Sequence, residues 1–291
     1  MIIVERAATF DRFSNGRLII NVINGDNNQG PPHGIFLDHD ERYRMADEYW
    51  GVWRRLMAGE VVTFDGKYVK LKDARLAVEP VQKGGPELFF GGSSPAAQEV
   101  AAKHIDTYLS WGEPPPQAAE KIATVRSLAA ARGRTLRFGL RINVIVRDTK
   151  EEAWFVAQWM YERIDKSVAE RSRKALSTTD SVGQLRQARI IGNRELSKHA
   201  RDMELYPDLW AGLSFIFGGP LAFTIVGDPE TMAARIREYE SVGFDVFILS
   251  SFPLIEQSYR VADSLFPLLQ PVGWKAKNDE TATGARRAAA A

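Results

Sequence analysis

The chain has 291 residues, of which 45% are hydrophobic and 26% charged, a composition typical of a globular protein with one large domain or two small ones. Lysine and arginine together number 38 and aspartate and glutamate 37, so the charge indicates no nucleic-acid partner. The absence of cysteine excludes disulfides, a thiol nucleophile and thiolate metal ligands, and no other metal-ligand spacing occurs. No apolar run approaches the roughly 20 residues of a membrane span, and no signal peptide is recognisable. We therefore expect a cytoplasmic protein that binds neither membranes nor metals.

Helices, strands and turns alternate through the first third of the chain. The β-branched run at residues 18–23 is typical of a strand buried on both faces. Asp38 and Glu41 predict the cap of a helix. In chain order we predict the end of a helix at residues 5–16, a strand at 18–23, a loop at 25–34, a helix that continues to Gly59 and a hairpin around Asp65-Gly66.

Residues 88–95 combine a short apolar strand, two glycines, two serines and a proline that opens an alanine-rich helix. Ser94 before Pro95 predicts an N-cap and first-turn pair. A strand, a tight turn and a helix N-terminus bring free N–H groups and the positive end of a helix dipole together, which suits a phosphate. A capped connection that binds nothing is the alternative interpretation.

The second half continues the alternation and is interrupted once. Thr149 with Glu152 predicts a capping box, and Asp228-Pro229 predicts another helix start. We predict strands at residues 107–111, 137–146, 224–226 and 246–249, helices after residues 114, 149 and 228 and at 255–269, an insertion at about 166–222, and a disordered tail at 273–291 after a single domain of residues 1–272.

This order of elements predicts a parallel sheet with helices outside it. We count five core strands, near residues 20, 89, 109, 142 and 247. They fit either a doubly wound sheet or part of an eight-stranded barrel. Because the chain begins inside a predicted helix with no strand before it, we favour an α/β TIM (β/α)8 barrel that is incomplete and lacks its first three βα units.

Six short motifs are specific when they are taken together. Residues 6–17, 21–25 and 39–43 resemble the bacterial-luciferase-like flavin monooxygenases. Phe-Gly-Gly-Ser-Ser at residues 90–94, Trp-Gly-Glu-Pro-Pro at 111–115 and Thr-Asp-Ser-Val-Gly-Gln at 179–184 are similar to the alkanesulfonate monooxygenase branch of that family. The resemblance extends from about residue 6 to about residue 269.

The resemblance implies a TIM barrel that takes reduced FMN from a separate NAD(P)H-dependent flavin reductase. With O2, such enzymes oxidise an alkanesulfonate to an aldehyde and sulfite, and we also expect a homo-oligomer. The resemblance further implies an N-terminal truncation that removes three strands and part of the flavin pocket. A misassigned start codon or a truncated gene would explain it, and completion of the sheet by another chain is a third explanation.

The resemblance assigns the flavin phosphate to the loop that contains Gly92, Ser93 and Ser94. Hydroxyl groups and N–H groups at a helix start replace the hydration of a phosphate. His39 and Tyr43 share one helical face and are assigned to flavin contacts. The alternatives are a helix cap for His39 and core packing for Tyr43.

Two further pairs lie at or near strand ends of the predicted barrel. Asn24 and Gly25 follow the first strand, at the face where TIM barrels carry out chemistry, and Asn24 is assigned to the flavin unless it only forms a turn. Arg141 and Asn143 share one face of the strand at residues 137–146 and are assigned to catalysis. An arginine inside a barrel is an expensive buried charge unless a sulfonate, a flavin peroxide or an internal carboxylate meets it.

Three positions depart from the sulfonate branch. Asn143 replaces a histidine, Phe217 an arginine of the mobile loop, and Phe252 a tyrosine after the last strand. Asn143 cannot act as a titrating base. The two phenylalanines, assigned to the substrate side, remove a cation and a hydroxyl. A sulfone or another small organosulfur compound is therefore an alternative substrate, and a non-catalytic paralogue or accessory subunit is an alternative function.

Overall fold

The computed structural model describes residues 1–25, 27, 31–165, 167–168, 170–171, 174, 179–192, 194, 197–216 and 223–274. The helices are α1 (Ile2–Phe13), α2 (His39–Met57), α3 (Pro95–His104), α4 (Pro115–Ala130), α5 (Lys150–Tyr161), α6 (Val182–Ile191), α7 (Leu213–Ile216), α8 (Pro229–Ser241), α9 (Leu254–Arg260) and α10 (Phe266–Leu269). The strands are β1 (Ile19–Val22), β2 (Val62–Asp65), β3 (Lys70–Ala74), β4 (Glu87–Phe90), β5 (Thr107–Trp111), β6 (Arg137–Val146), β7 (Glu204–Tyr206), β8 (Leu209–Trp210), β9 (Thr224–Gly227) and β10 (Val246–Ser250).

The main sheet is parallel through its centre, in the order β1-β4-β5-β6. The first part of β6 also pairs in parallel with β10, and its last residues pair in parallel with β9. The predicted α/β organisation is confirmed. The described chain holds one parallel strand more than the five core strands predicted, namely β9. It can pair with β6 because β6 is ten residues long and its last residues extend beyond β10.

The two faces of this sheet differ in burial. Alternate residues of β6 (Phe138, Leu140 and Ile142) are at most 2% exposed and form the core with the helices. On the other face, here called the inner face, Ile19 is 56% exposed and Ile248 is 37% exposed. The prediction that the strand at residues 18–23 is buried on both faces is therefore wrong.

The physical reason is that the sheet has two free edges. Within the described residues β1 pairs only with β4, and β10 pairs only with β6. The described strands therefore form an open sheet, and its inner face is exposed along the edge strands β1 and β10, although Asn143 in the middle of the sheet is 5% exposed. An incomplete TIM barrel that lacks its first three βα units remains a prediction for this chain.

Local sequence signals fix the helix starts. The side chain of Asp38 accepts the N–H of Glu41 at 2.7 Å, and the predicted capping box of Thr149 and Glu152 is present. Asp228 caps α8 in the same way. These contacts satisfy N–H groups that have no partner inside the helix.

The predicted insertion contributes α6, α7 and the short strands β7 and β8 to the described structure. Phe217 and residues 275–291 of the predicted tail lie outside the described residues. In the part of the chain that the structure describes, no helix is long and apolar enough to cross a membrane.

Candidate active site

The loop after β4 requires its two glycines. A Cβ added to Gly91 would lie 2.6 Å from the carbonyl oxygen of Leu109, and one added to Gly92 would lie 2.5 Å from the Cβ of Ala97. The carbonyl oxygen of Gly92 accepts the hydroxyl of Tyr108 at 2.6 Å. The loop is therefore held tightly between β5 and the first turn of α3.

Ser94 is the N-cap of α3, as predicted. Its Oγ accepts the N–H of Ala97 at 3.2 Å, and the residue is only 3% exposed. The side chain of Tyr43 hydrogen-bonds to that of Ser94. Burial raises the pKa of Tyr43, so this phenol stays protonated at neutral pH. Ser93, which is half-buried, is the more accessible hydroxyl of the loop.

The start of α2 places His39 and Tyr43 beside this loop. Their ring centroids are 4.9 Å apart, and the Tyr43 ring lies 6.4 Å from that of Phe90. Asp38 is the N-cap, so His39 is not the cap that the alternative interpretation required. The Nδ1 atom of His39 is instead 2.7 Å from Oδ1 of Asp40.

Asn24 and Gly25 follow β1, the neighbour of β4 in the sheet. The Nδ2 atom of Asn24 is buried and has no hydrogen-bond partner in the part of the chain that the structure describes. Gly25 has a φ of +70°, a conformation that favours glycine. A buried amide donor without a partner costs free energy, which fits a position where a ligand would accept its hydrogen bond.

The insertion covers the loop from a third side. Arg42 of α2 donates to Oδ2 of Asp180 at 2.7 Å, and the N–H of Asn27 donates to Oδ1 of Asp180 at 3.0 Å. Burial acts to raise the pKa of Asp180, but the bonds from Arg42 and Asn27 outweigh it and hold that pKa below its usual value. The next residue along the chain, Ser181, caps α6.

A second ionic cluster connects α6 to the residues that follow β5 and to α4. Glu113, which follows β5, is 1% exposed and pairs with both Lys121 of α4 and Arg186 of α6. The distance from Nε of Arg186 to Oε2 of Glu113 is 2.7 Å. Burial lowers the pKa of Lys121, and the adjacent carboxylate of Glu113 opposes that shift.

The inner face presents the two residues assigned to catalysis. The side chain of Arg141 is exposed and has no ion pair or hydrogen bond with the described residues, so the expectation of a buried charge is wrong. The open inner face is the reason. Asn143 is 5% exposed and in register with both Ser250 of β10 and Thr224 of β9. The Oγ1 atom of Thr224 is buried and has no hydrogen-bond partner among the described residues.

Phe252 follows β10 and is half-buried against the core. Nearby in sequence, the Oγ atom of Ser251 and both amide atoms of Gln257 are buried and find no hydrogen-bond partner within the described segments. This end of the sheet therefore has unused hydrogen-bonding capacity. Among the described residues, no group of three or more His, Asp or Glu side chains could hold a metal ion.

Sequence reasoning missed the ionic contacts that surround the loop. Asp180 and Glu113 both lie inside motifs that carry the family resemblance, which was the available signal. Arg42 lies inside the motif at residues 39–43. Sequence separations of 138 residues for Arg42–Asp180 and 73 for Glu113–Arg186 hide these pairings from any local pattern.

Comparisons with known proteins agree with this architecture. The riboflavin lyase RcaE, solved with modified FMN and riboflavin, has a TM-score of 0.74 and 21% identity, over 94% of this chain and 69% of that one. The long-chain alkane monooxygenase LadA has a TM-score of 0.71 and 21% identity, over 94% and 68% of the two chains. DmoA from Hyphomicrobium sulfonivorans has a TM-score of 0.71 and 20% identity, over 95% and 66%. The model of the luciferase-like monooxygenase family matches residues 1–246, and the chain therefore belongs to that family.

Proposed function

We propose that this chain is a reduced-FMN-dependent monooxygenase that oxidises a small organosulfur compound, in the first instance an alkanesulfonate. The observation that carries the proposal is the loop Gly91–Ser94, closed in by Tyr43 and by the insertion. The solved structure of RcaE, a protein of similar fold, contains modified FMN. A separate NAD(P)H-dependent reductase would supply the reduced flavin.

The residues present fit a flavin phosphate. The loop offers the hydroxyl of Ser93 and the N–H groups of a helix start. Its backbone path requires both glycines, because a Cβ on either one would clash with neighbouring protein atoms. Asn24 adds a buried N–H donor that lacks a partner. Tyr43 is a phenol whose pKa burial raises further above neutrality, so it adds no negative charge beside the phosphate.

Reduced FMN, when bound, supplies the two electrons that reduce one oxygen atom of O2 to water while the other enters the substrate. The side chains of this protein would bind the flavin and the substrate and orient them. Arg141, exposed and unpaired on the inner face, would bind the anionic head of a sulfonate. Asn143 would hold the reacting group by its amide, without taking up a proton.

A sulfone is the second candidate substrate, and Phe252 favours it. Phe252 is half-buried at the end of β10, where members of the sulfonate branch have a tyrosine. A phenyl ring offers neither donor nor acceptor, so it favours a less polar substrate.

The test has two stages. Purified protein is first titrated with FMN under anaerobic reduction, and saturable binding is expected. Sulfite release is then measured with a flavin reductase, NAD(P)H and O2, with alkanesulfonates and sulfones in parallel. A Ser93→Ala variant is expected to bind FMN at least tenfold more weakly, and Ser127→Ala, on the surface of α4, serves as its control.

Each outcome decides one part of the proposal. Failure of the wild-type chain to bind FMN contradicts it and favours the non-catalytic alternative. Binding with sulfite release from sulfones but not from sulfonates moves the substrate to the second candidate.

A further inference from the structure

The helix α6 is tied to the main sheet region just before its first turn and again in its second turn. Just before its first turn, Asp180 is bonded to Arg42 of α2 at 2.7 Å. In its second turn, Arg186 is bonded to Glu113, at the end of β5, at 2.7 Å and to the carbonyl oxygen of Gln117 at 3.0 Å. Two ion pairs, separated by about one and a half helical turns, therefore fix both the position and the rotation of α6.

In each ion pair the buried partner belongs to the sheet region. The side chain of Arg42 is 4% exposed and that of Glu113 is 1% exposed, whereas Asp180 and Arg186 are 27% and 33% exposed. Displacement of α6 would leave the buried Arg42 without its carboxylate, and Glu113 with Lys121 alone. A buried charge without a partner is strongly unfavourable, so both pairs favour the docked position.

The docked position brings α6 against the phosphate loop itself. A Cβ on Gly183, in the first turn, would lie 3.6 Å from the Oγ atom of Ser93 and 3.6 Å from the ring of Trp111. Both are ordinary van der Waals distances. The first turn of α6 therefore forms a wall beside the half-buried Ser93.

Within the two ion-pair clusters the cations outnumber the anions. Arg42, Lys121 and Arg186 face the carboxylates of Asp180 and Glu113, so three cations meet two anions. Exclusion of water strengthens the attraction between such a cluster and a phosphate.

From these contacts we infer that Arg42–Asp180 and Glu113–Arg186 are positioning pairs for the phosphate group of the flavin. They act by holding α6 against Ser93. This inference rests on the proposed function and adds a specificity to it, namely discrimination between FMN and riboflavin, which lacks the phosphate. Loss of either pair would weaken the binding of FMN and leave the binding of riboflavin nearly unchanged.

The experiment measures dissociation constants of the full chain for FMN and riboflavin by fluorescence titration. Arg42→Met and Arg186→Met each remove one pair. Arg54→Met is the matched control, because Arg54 lies at the other end of α2, is 25% exposed and pairs with Asp106 at 2.7 Å. The first two variants are expected to raise the FMN dissociation constant about tenfold and that of riboflavin less than about twofold. The control is expected to change neither.

A fold defect would affect both ligands and the thermal unfolding midpoint. Should Arg42→Met not fold, Asp180→Asn removes the same pair from its more exposed side and carries the test. An unchanged ratio of the two dissociation constants in folded variants would overturn the inference and leave the proposed function intact. No FMN binding by the wild-type chain would overturn the proposed function and this inference together.

Discussion

Two polar regions of this molecule differ in how their side chains are held. In the loop region, formed by Gly91–Ser94, the start of α2 and α6, buried groups are bonded to one another, as Tyr43 is to Ser94 and Arg42 to Asp180. On the inner face, Arg141 is exposed and unpaired, and the hydroxyl of Thr224 has no partner. A preorganised site costs less free energy to order on binding than a loose one. The comparison indicates a loop region built to hold one ligand and an inner face on which Arg141 is open to solvent.

The largest expected effect comes from breaking the ionic cluster of Glu113, Lys121 and Arg186 beside the loop region. Glu113→Gln leaves Lys121 buried without a carboxylate, so we expect the free energy of unfolding to fall by about 3–5 kcal/mol at pH 7. Urea denaturation measures this loss. Glu60→Gln, in the exposed pair with Arg55, serves as the control and should cost no more than about 1 kcal/mol.

The same variant gives a pH signature. Burial already lowers the pKa of Lys121, so the unfolded chain binds more protons at this residue and stability rises with pH. Without Glu113 the depression deepens, and the deficit relative to wild type should narrow between pH 7 and pH 9. Equal losses for Glu113→Gln and Glu60→Gln would contradict the prediction.

A backbone change gives the next largest effect. In Gly91→Ala the new Cβ meets the carbonyl oxygen of Leu109 at 2.6 Å, which no side-chain rotation relieves. We expect a loss of about 1–3 kcal/mol in unfolding free energy, together with weaker FMN binding.

Gly51→Ala provides the contrast. Gly51 lies inside α2, and its added Cβ would be 3.6 Å from the His104 ring, an ordinary contact distance. There alanine should stabilise the chain by about 0.5–1 kcal/mol. Thermal unfolding and FMN titration measure both variants, and similar behaviour of the two would show that the loop tolerates a side chain.

The sequence predicted local features of both regions better than their surroundings. The caps at Asp38, Ser94 and Thr149 involve residues three positions apart, so short-range patterns identify them. The burial of residues 18–23 depends on whether a second wall covers the inner face, which no local pattern reports. The exposure of Arg141 follows from the same open face.

The ion pairs that anchor α6 were only partly predictable from the sequence. Arg42, Glu113 and Asp180 all lie in motifs that identify the family, yet their pairings cross long stretches of chain. A motif indicates which residues matter and not which residue each one contacts. The assignment of Ser93 and Asn143 to a ligand remains a prediction.

The pH dependence of the unfolding free energy tests whether Asp180 stabilises the fold through its charge beside Arg42 or through packing alone. The pKa of Asp180 is held below its usual value in the folded chain, so the carboxylate stabilises the fold above the unfolded pKa of about 3.9 and loses that contribution as pH falls further. Asp180→Asn should therefore cost about 1–2 kcal/mol at pH 7 and progressively less below about pH 4. Unfolding curves of both proteins at several pH values measure the difference, and a pH-independent difference would point to packing alone.

The smallest expected effect on stability belongs to the inner face. Arg141 is exposed and has no protein partner among the described residues, so Arg141→Met should leave the free energy of unfolding and the affinity for FMN unchanged. Its effect should appear in the KM for an alkanesulfonate, which we expect to rise about tenfold, and not in the KM for an uncharged sulfone. Arg137→Met is the matched control, since Arg137 lies on the same face of β6 but is paired with Glu87. Steady-state sulfite release measures these constants. Equal changes with the sulfonate and the sulfone would show that Arg141 does not bind the anionic head, and would leave the inner face without a residue that distinguishes the two substrate classes.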